Sequence, residues 1–235
     1  MNVLIACEES QTVCKAFRER GHRAFSCDLV PCSGGRPEWH IQGDALQLIN
    51  GNCTFTTADT HTHTQAGPWD LLIAHPPCTF LSNAGAVRLY PQAGILDLDR
   101  YAEGMKAKEF FLQFLAADCE RICIENPVPS SVFGLPHHSQ EIQPYEFGEP
   151  WSKKTLLWLK GLPPLEPTQR VKNWKPYVSC GTSANKGNKD KAGASRAGGD
   201  KKVRSTTFPG IAAAMAEQWG GGYQAAQLSL FGGIK

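Results

Sequence analysis

Short apolar runs and longer amphipathic stretches alternate along the first half of the chain and predict strands and helices in turn. The runs at 3–6, 22–27, 71–74 and 121–124 are typical of strands that are buried on both faces of a parallel sheet. Between the last two runs, apolar side chains over 101–117 recur at helical spacing. We therefore expect an α/β fold in which a mainly parallel sheet is covered by helices on both faces.

Three further segments of the first half carry weaker signals. A helix is expected over about residues 10–20, because Gly21 can end it in the left-handed conformation. Residues 46–50 favour a short helix. The polar, threonine-rich stretch 53–67 is predicted to be a loop or an insertion.

The second half predicts an antiparallel edge hairpin and one late helix. The segments 143–147 and 155–159 read as two strands that are joined by a turn. A helix is expected to begin at Pro209, since proline suits the first helical turn, and to end at the glycines 220–222. These signals divide the chain into a core at 1–160, an irregular insertion at 161–206, a helix returning to the core at 207–222 and a flexible tail at 223–235.

The net charge of +2 conceals an uneven distribution of charged residues. Residues 170–204 contain ten Lys or Arg against two acids, a local charge of +8, whereas the other 200 residues hold 14 basic and 20 acidic groups. Such a segment is typical of a contact with a polyanion. The alternative is a solvated, disordered linker, which the Gly, Ala, Ser and Lys content of 183–202 favours. Both can hold, because a flexible basic loop can become ordered on nucleic acid.

Nine cysteines are spread along the chain without a partnered Cys-x-x-Cys pair, so we expect no metal site. No apolar run approaches the length of a membrane span. The first apolar run has no basic region before it and is followed closely by Glu8 and Glu9, which predicts a strand rather than a signal peptide. We therefore expect a cytoplasmic protein with reduced thiols and no membrane contact.

The segment His75-Pro76-Pro77-Cys78 follows directly after the apolar run 71–74. The two prolines hold the backbone extended, because each fixes its own φ and steers the preceding residue away from helical angles. The thiol is thereby placed on a stiff turn at the carboxyl end of a strand, where open α/β sheets build their sites. The alternative is a small buried hydrophobic residue, which is the commonest role of a lone cysteine.

Asp28, Cys78 and Glu125 each stand at the end of a predicted strand, and such ends converge in a doubly wound sheet. Asp28 is placed to accept hydrogen bonds from ribose hydroxyls. The loop 6–10 is acidic and has no glycine phosphate cradle, which disfavours a dinucleotide and favours a cationic, phosphate-free ligand such as S-adenosylmethionine. As alternatives, an Asp after a strand often forms a cap or turn, and Glu-Asn-Pro is often only a turn.

The segment 76–85, Pro-Pro-Cys-Thr-Phe-Leu-Ser-Asn-Ala-Gly, and the tripeptide Glu125-Asn126-Pro127 resemble the nucleophile and Glu-Asn motifs of the cytosine-5 DNA methyltransferases. The similarity is strongest to the short phage- and prophage-type members and extends over 153–160 and 207–212. It implies a Rossmann-like S-adenosylmethionine-dependent methyltransferase sheet with an antiparallel edge hairpin and a small basic, partly irregular insertion.

The resemblance implies that Cys78 adds to carbon 6 of a flipped-out cytosine while Glu125 protonates or hydrogen-bonds ring nitrogen 3. Carbon 5 then takes the methyl group of S-adenosyl-L-methionine, and a base removes its proton. The cofactor is expected to contact Cys7, Glu8, Ser10, Asp28, Leu29, Asp44 and Pro76. Double-stranded DNA is expected to contact Ser82, Asn83, Lys153, Lys154, Lys186, Lys201, Lys202 and Arg204.

The chain departs from the family pattern at four places. The first motif lacks Phe-x-Gly-x-Gly, Pro127 replaces the usual Val, and the Gln-x-Arg-x-Arg motif is reduced to Lys153-Lys154. The target-recognition region is compressed into 161–206, whereas a specific interface usually buries about 1,000 Å² or more of protein surface. We therefore expect a short or relaxed sequence specificity. Separately, we expect the protein to be a monomer.

The tail contains a pentapeptide that resembles the one by which bacterial replication and repair proteins dock on the sliding clamp. An extended peptide of this kind would bury its leucine and phenylalanine side chains in an apolar groove. The alternative is that these side chains fold back on the core. The expected clamp-binding residues are Gln227, Leu228, Ser229, Leu230 and Phe231.

Two other functions compete with cytosine-5 methylation. Methylation of an exocyclic amino group usually stacks the base on an aromatic residue after Pro-Pro, and Cys78 occupies that position here. A catalytically silent DNA-binding protein, in which Cys78 is only packed, is the third interpretation.

Overall fold

Seven strands form one sheet at the centre of the protein. The computed structural model describes residues 1–86, 88–177, 205 and 207–221. Its strands are β1 (Asn2–Ala6), β2 (Arg23–Asp28), β3 (His40–Gln42), β4 (Cys53–Thr56), β5 (Thr62–Gln65), β6 (Leu71–Ala74), β7 (Ile122–Asn126), β8 (Gln140–Ile142), β9 (Trp151–Ser152), β10 (Thr155–Lys160) and β11 (Lys175–Pro176). Its α-helices are α1 (Thr12–Glu19), α2 (Asn83–Ala86), α3 (Leu98–Leu115) and α4 (Pro209–Gly220).

The order of strands in the central sheet is β3-β2-β1-β6-β7-β10-β8. The first five strands are parallel, and β10 runs antiparallel to both β7 and β8. The chain crosses from one half of the sheet to the other between β1 and β6, which creates a switch point at their carboxyl ends. The predicted α/β fold with an antiparallel hairpin at one edge is therefore confirmed.

Helices cover both faces of this sheet, as the apolar pattern predicts. Helices α1 and α4 pack together on one face. Helix α3 supplies Phe111 and Phe114 to the core on the other face. The strands between them read as continuous apolar runs because they are buried from both sides: the side chains of Leu71–Ala74 have no exposed surface.

The edge strand of the hairpin lies three residues earlier than the sequence predicts. Residues 143–147 are not a strand, because Pro144 starts a 3₁₀ turn and the Glu146 carboxylate accepts a hydrogen bond from the Gln143 N–H at 2.9 Å. The strand that pairs with β10 is instead Gln140–Ile142.

The threonine-rich segment predicted as a loop is a β-hairpin, formed by β4 and β5. Threonine hydroxyls pair across it at 3.3 Å, for Thr54 with Thr64 and for Thr56 with Thr62. The β-branched side chain of threonine suits a strand, which the polarity of the segment concealed. The short helix expected at 46–50 is a 3₁₀ turn at Ala45–Gln47.

The described part of the predicted insertion, 161–177, packs on the core. Leu165 and Tyr177 are buried among the residues under α4, and the Trp219 indole donates a hydrogen bond to the Pro163 carbonyl at 3.0 Å. None of the described helices combines the length and apolar character needed to cross a bilayer. The DNA contacts Lys186, Lys201, Lys202 and Arg204 and the tail peptide 227–231 lie outside the described residues, so these assignments stay predictions.

Candidate active site

The carboxyl ends of β6 and β7 bring His75 and Glu125 side by side. In the parallel register Ala74 pairs with Ile124, so the next residue of each strand lies beside the other. The His75 N–H also bonds the Ala6 carbonyl at 2.9 Å, which extends the pairing of β6 with β1. The side chains meet at 3.1 Å, between His75 Nδ1 and a Glu125 carboxylate oxygen.

The turn that carries Cys78 is fastened to the segment that follows Glu125. The buried Asn126 amide donates a hydrogen bond to the Pro76 carbonyl at 2.8 Å. Further on, Ser82 pairs with Pro129 as an isolated bridge, and the Ser82 N–H bonds the Cys78 carbonyl at 3.0 Å. The thiol is therefore on a turn that is held at both ends against residues 126–129, and Cys78 itself is only partly buried.

Glu125 is an ionised carboxylate in a mostly buried position. Burial raises the pKa of its carboxyl. The hydrogen bond from His75 and the positive charge of Lys153 together lower this pKa by more, so the net pKa is below its usual value. Only 12% of the Glu125 side chain and 10% of the His75 side chain are exposed. The site therefore holds a negative charge that two cationic or hydrogen-bonding neighbours stabilise.

A small recess opens beside this carboxylate. It has about 200 Å³ of empty space, counting the part that is open to solvent, but the space that water can occupy is enough for about one molecule. The Lys153 ammonium lies 5.8 Å from the centre of the Phe208 ring, so these two side chains form part of its wall. The lining residues are Glu125, Lys153, Thr155, Thr207, Phe208 and Ile211.

Two carboxylates converge on the other side of the switch point, where β1 ends. Cys7 has a left-handed backbone with φ 58° at this turn. Burial raises the pKa of its thiol, and the nearby carboxylates of Asp28 and Asp44 raise it further. Leu29 follows with 73% of its surface exposed. This acidic edge with an exposed apolar side chain suits a ligand that carries a positive charge, a ribose diol and a flat base.

Three other predicted cofactor residues lie deeper or nearby. The Glu8 carboxylate is buried and accepts hydrogen bonds from the Val13 and Cys14 N–H groups at 2.6 and 3.2 Å. Its oxygens thus cap the amino end of α1. The Ser10 hydroxyl lies 3.1 Å from that of Thr12. Pro76 is buried, and its carbonyl bonds Asn126 as described above.

The predicted DNA contacts that the structure describes differ in their surroundings. Asn83 is exposed, whereas Ser82 is buried and its hydroxyl accepts the Gly85 N–H at 3.2 Å. Lys154 is exposed and forms an ion pair with Glu141 on β8. Lys153 is partly buried, and its charge acts on Glu125 from the wall of the recess.

The cysteines divide into inert thiols and partly exposed ones. The eight described cysteines form no disulfide with one another. Burial raises the pKa of Cys14, Cys119 and Cys123, which keeps these thiols protonated and unreactive. In the ranges the structure describes, no three His, Cys, Asp or Glu side chains are grouped so that they could hold a metal ion.

His75 and Asn126 are the two functional candidates that sequence reasoning missed. His75 precedes Pro-Pro-Cys and Asn126 belongs to Glu-Asn-Pro, but the sequence alone assigns neither side chain a role. The signal was present for His75, because it stands at the end of the strand before Pro-Pro-Cys. Its partner 50 residues away becomes visible only once the register of β6 and β7 is known.

Comparison with known proteins yields structural likeness only. No protein-family model and no curated protein sequence matches the chain. An rRNA methylase from Escherichia coli superposes on 67% of this chain and 55% of its own, with 15% identity and a TM-score of 0.33. A methyltransferase from Entamoeba histolytica, EhMeth, superposes on 73% of this chain and 57% of its own, with 11% identity and a TM-score of 0.38. The chain thus spans just over half the length of these proteins, and likeness at this level carries no functional argument.

Proposed function

We propose that the protein is a DNA (cytosine-5)-methyltransferase that uses S-adenosyl-L-methionine. The observation that carries the proposal is the attachment of the Cys78 turn to the segment that follows Glu125. A partly exposed thiol thereby lies on the loop after β6, and an ionised carboxylate lies at the carboxyl end of the neighbouring parallel strand β7. Attack on an aromatic ring carbon needs a strong nucleophile and a group that holds the opposite edge of the ring.

In the proposed reaction the Cys78 thiolate forms a bond to carbon 6 of an extruded cytosine. The electrons of the 5,6 double bond then make carbon 5 nucleophilic. Glu125 takes up a proton as the base enters, donates a hydrogen bond to nitrogen 3 and accepts one from the adjacent amino group. After carbon 5 has gained the methyl group, with S-adenosylhomocysteine as the other product, a base removes its remaining proton. The carbon–sulfur bond breaks, the double bond returns and the thiolate is released.

The acidic edge at the end of β1 is the proposed cofactor site. Asp28 would bind the ribose hydroxyls, Leu29 would cover the base, and Asp44 would bind the amino group of the adenine. When bound, the cofactor supplies a methyl group activated by its sulfonium charge. The concentration of carboxylates there favours a cation over a phosphate-bearing ligand.

A cytosine can reach Glu125 through this recess only if the recess widens, since it has room for about one water molecule. Lys153 and Phe208 form its wall, and the lysine side chain is the more flexible of the two. We propose that Lys153 swings towards the DNA backbone as the base enters. This would convert a charge that stabilises Glu125 in the free protein into a phosphate contact.

The test is a covalent trap. A pool of duplexes that contain 5-fluorocytosine in every sequence context is incubated with the protein and S-adenosylmethionine, and complexes that resist denaturation are counted. With fluorine at carbon 5, the base has no proton to remove after methyl transfer, so the carbon–sulfur bond does not break and the adduct persists. We expect an adduct with the natural protein and with Cys53→Ser, a partly exposed thiol on the β4–β5 hairpin, but none with Cys78→Ser.

Each rival function gives a different result. A silent DNA-binding protein would retain the duplex without forming an adduct. An amino-group methyltransferase would transfer methyl groups even as Cys78→Ser. An adduct formed on an RNA pool but on no duplex would overturn the DNA part of the proposal.

A further inference from the structure

His75 is a mostly buried histidine, and no step of the proposed reaction uses it. Its Nδ1 lies 3.1 Å from the Glu125 carboxylate. An ionised carboxylate only accepts hydrogen bonds, so Nδ1 must carry the proton of this contact. Among the described residues, the buried Nε2 atom has no hydrogen-bond partner.

Charged groups face the imidazole from several elements. Glu125 contacts the imidazole from β7. The Glu8 carboxylate, which follows β1, lies close enough for the charge of His75 to lower its pKa, although burial raises that pKa by more. Lys153, which precedes β10, acts on Glu125 from the recess. Cys123, two residues before Glu125 on β7, is a buried thiol whose pKa is raised well above its usual value by burial and by the charge of Glu125, so it stays neutral.

We propose, building on the function proposed above, that His75 is a positioning residue that orients the Glu125 carboxylate and keeps it ionised until the base arrives. Two groups, His75 and Lys153, stabilise the charge of Glu125 against the effect of burial, and Lys153 must move away when the recess opens. His75 is then the remaining support, because it is fixed on the end of β6 by backbone pairing. Without it, the same carboxyl would be buried with nothing to stabilise its charge.

The variants His75→Ala, His75→Asn and His75→Gln separate the possibilities. The amide of asparagine falls near the position of Nδ1 and can still donate to Glu125, whereas the amide of glutamine falls near Nε2 and cannot. Alanine removes the imidazole and with it the contact to Glu125. A matched control exists in the exposed pair of His61 and Asp59, which has the same Nδ1–carboxylate contact at 2.7 Å on the β4–β5 turn.

The first measurement is the rate of adduct formation with 5-fluorocytosine DNA as a function of pH. We expect His75→Ala and His75→Gln to slow the adduct by about tenfold or more, since small displacements of a reacting group cost this much. The limb of the pH profile that belongs to Glu125 should move to higher pH. His75→Asn should recover most of the rate, and His61→Ala and His61→Asn should match the natural protein.

A second measurement needs no activity. The pKa of the Glu125 carboxyl is followed by carbon-13 NMR in the natural protein, His75→Asn and His75→Gln, and it should rise only in the glutamine variant. If the natural protein forms no adduct but this pKa rises, the proposed function fails while the link between His75 and Glu125 stands. An unchanged pKa, or equal rates for the asparagine and glutamine variants of an adduct-forming protein, would overturn the role of His75.

Discussion

The buried hydrogen bond from the Asn126 amide to the Pro76 carbonyl joins the two halves of the candidate site, so Asn126→Ala should damage both stability and activity. The bond is 2.8 Å long and the asparagine is 1% exposed. Removing the amide leaves a buried carbonyl without a partner, which costs about 1–3 kcal/mol. For a chain of this size, each kcal/mol lowers Tm by roughly 2–4 °C.

The cost is partly offset, because the Asn126 Oδ1 atom is itself buried without a hydrogen-bond partner among the described residues. The alanine variant removes that unsatisfied oxygen along with the useful amide. We therefore expect a loss near the middle of the range, about 2 kcal/mol. The freed Pro-Pro turn should also let the Cys78 thiol drift, which would slow adduct formation by about tenfold or more.

Urea unfolding and the rate of the 5-fluorocytosine adduct measure the two effects separately. Asn50→Ala is the matched control, because the Asn50 side chain also bonds a backbone group, the Asp118 N–H at 2.9 Å, but does so in an exposed position. That variant should lose at most about 1 kcal/mol and none of its adduct rate. If Asn126→Ala matched this control in both measurements, the bond to Pro76 would not be what holds the Cys78 turn.

Two further predictions follow from the same region. Gly85→Ala would bring its new methyl group to 2.1 Å from the carbonyl oxygen of Thr79, the residue after Cys78, so the turn must shift. The rate of adduct formation should then fall about tenfold or more. The free energy of unfolding, measured in urea, should fall by about 1–3 kcal/mol. Lys153→Met removes a charge that lowers the pKa of Glu125. The pKa of Glu125 is lower in the folded protein than in the unfolded chain, so its ionised form stabilises the fold above the unfolded pKa, and this stabilisation is lost as pH falls through the folded pKa. In the methionine variant the stabilisation should be smaller and should be lost at a higher pH. Urea midpoints measured across the acidic range would show both changes. Equal pH profiles for variant and natural protein would refute that coupling.

The elements that the sequence predicts correctly are those whose signal is local. Strand β6 and helix α3 are marked by an unbroken apolar run and by apolar residues at helical spacing, and both lie within a few residues of their predicted positions. The β4–β5 hairpin was missed because its stability comes from threonine pairs across two strands, which a reading along one strand does not reveal. The edge strand was displaced because Pro144 fits a 3₁₀ turn as well as the end of a strand.

The site was predictable only in part, for a similar reason. The positions of Cys78 and Glu125 at strand ends follow from local pattern and from family resemblance. The contact between His75 and Glu125 depends on which strands are neighbours and on their register, and neither is written in a local stretch of sequence. Lys153 shows the same limit: two adjacent lysines look alike in the sequence, yet one faces the carboxylate and the other forms an ion pair at the surface.

The register between β6 and β7 is therefore what makes the site. Successive side chains of a strand point to opposite faces, so in β7 Ile124 lies in the core under α3, whereas Cys123 lies in the core under α1 and α4. Glu125 shares the face of Cys123 and opens on the recess beside α4, and Asn126 turns the other way to hold the Pro76 carbonyl. A slip of one residue would exchange these two roles, burying the carboxylate against α3 and pointing the amide into the recess. The apolar residues that fix this register thus determine the chemistry as firmly as the polar residues that would perform it.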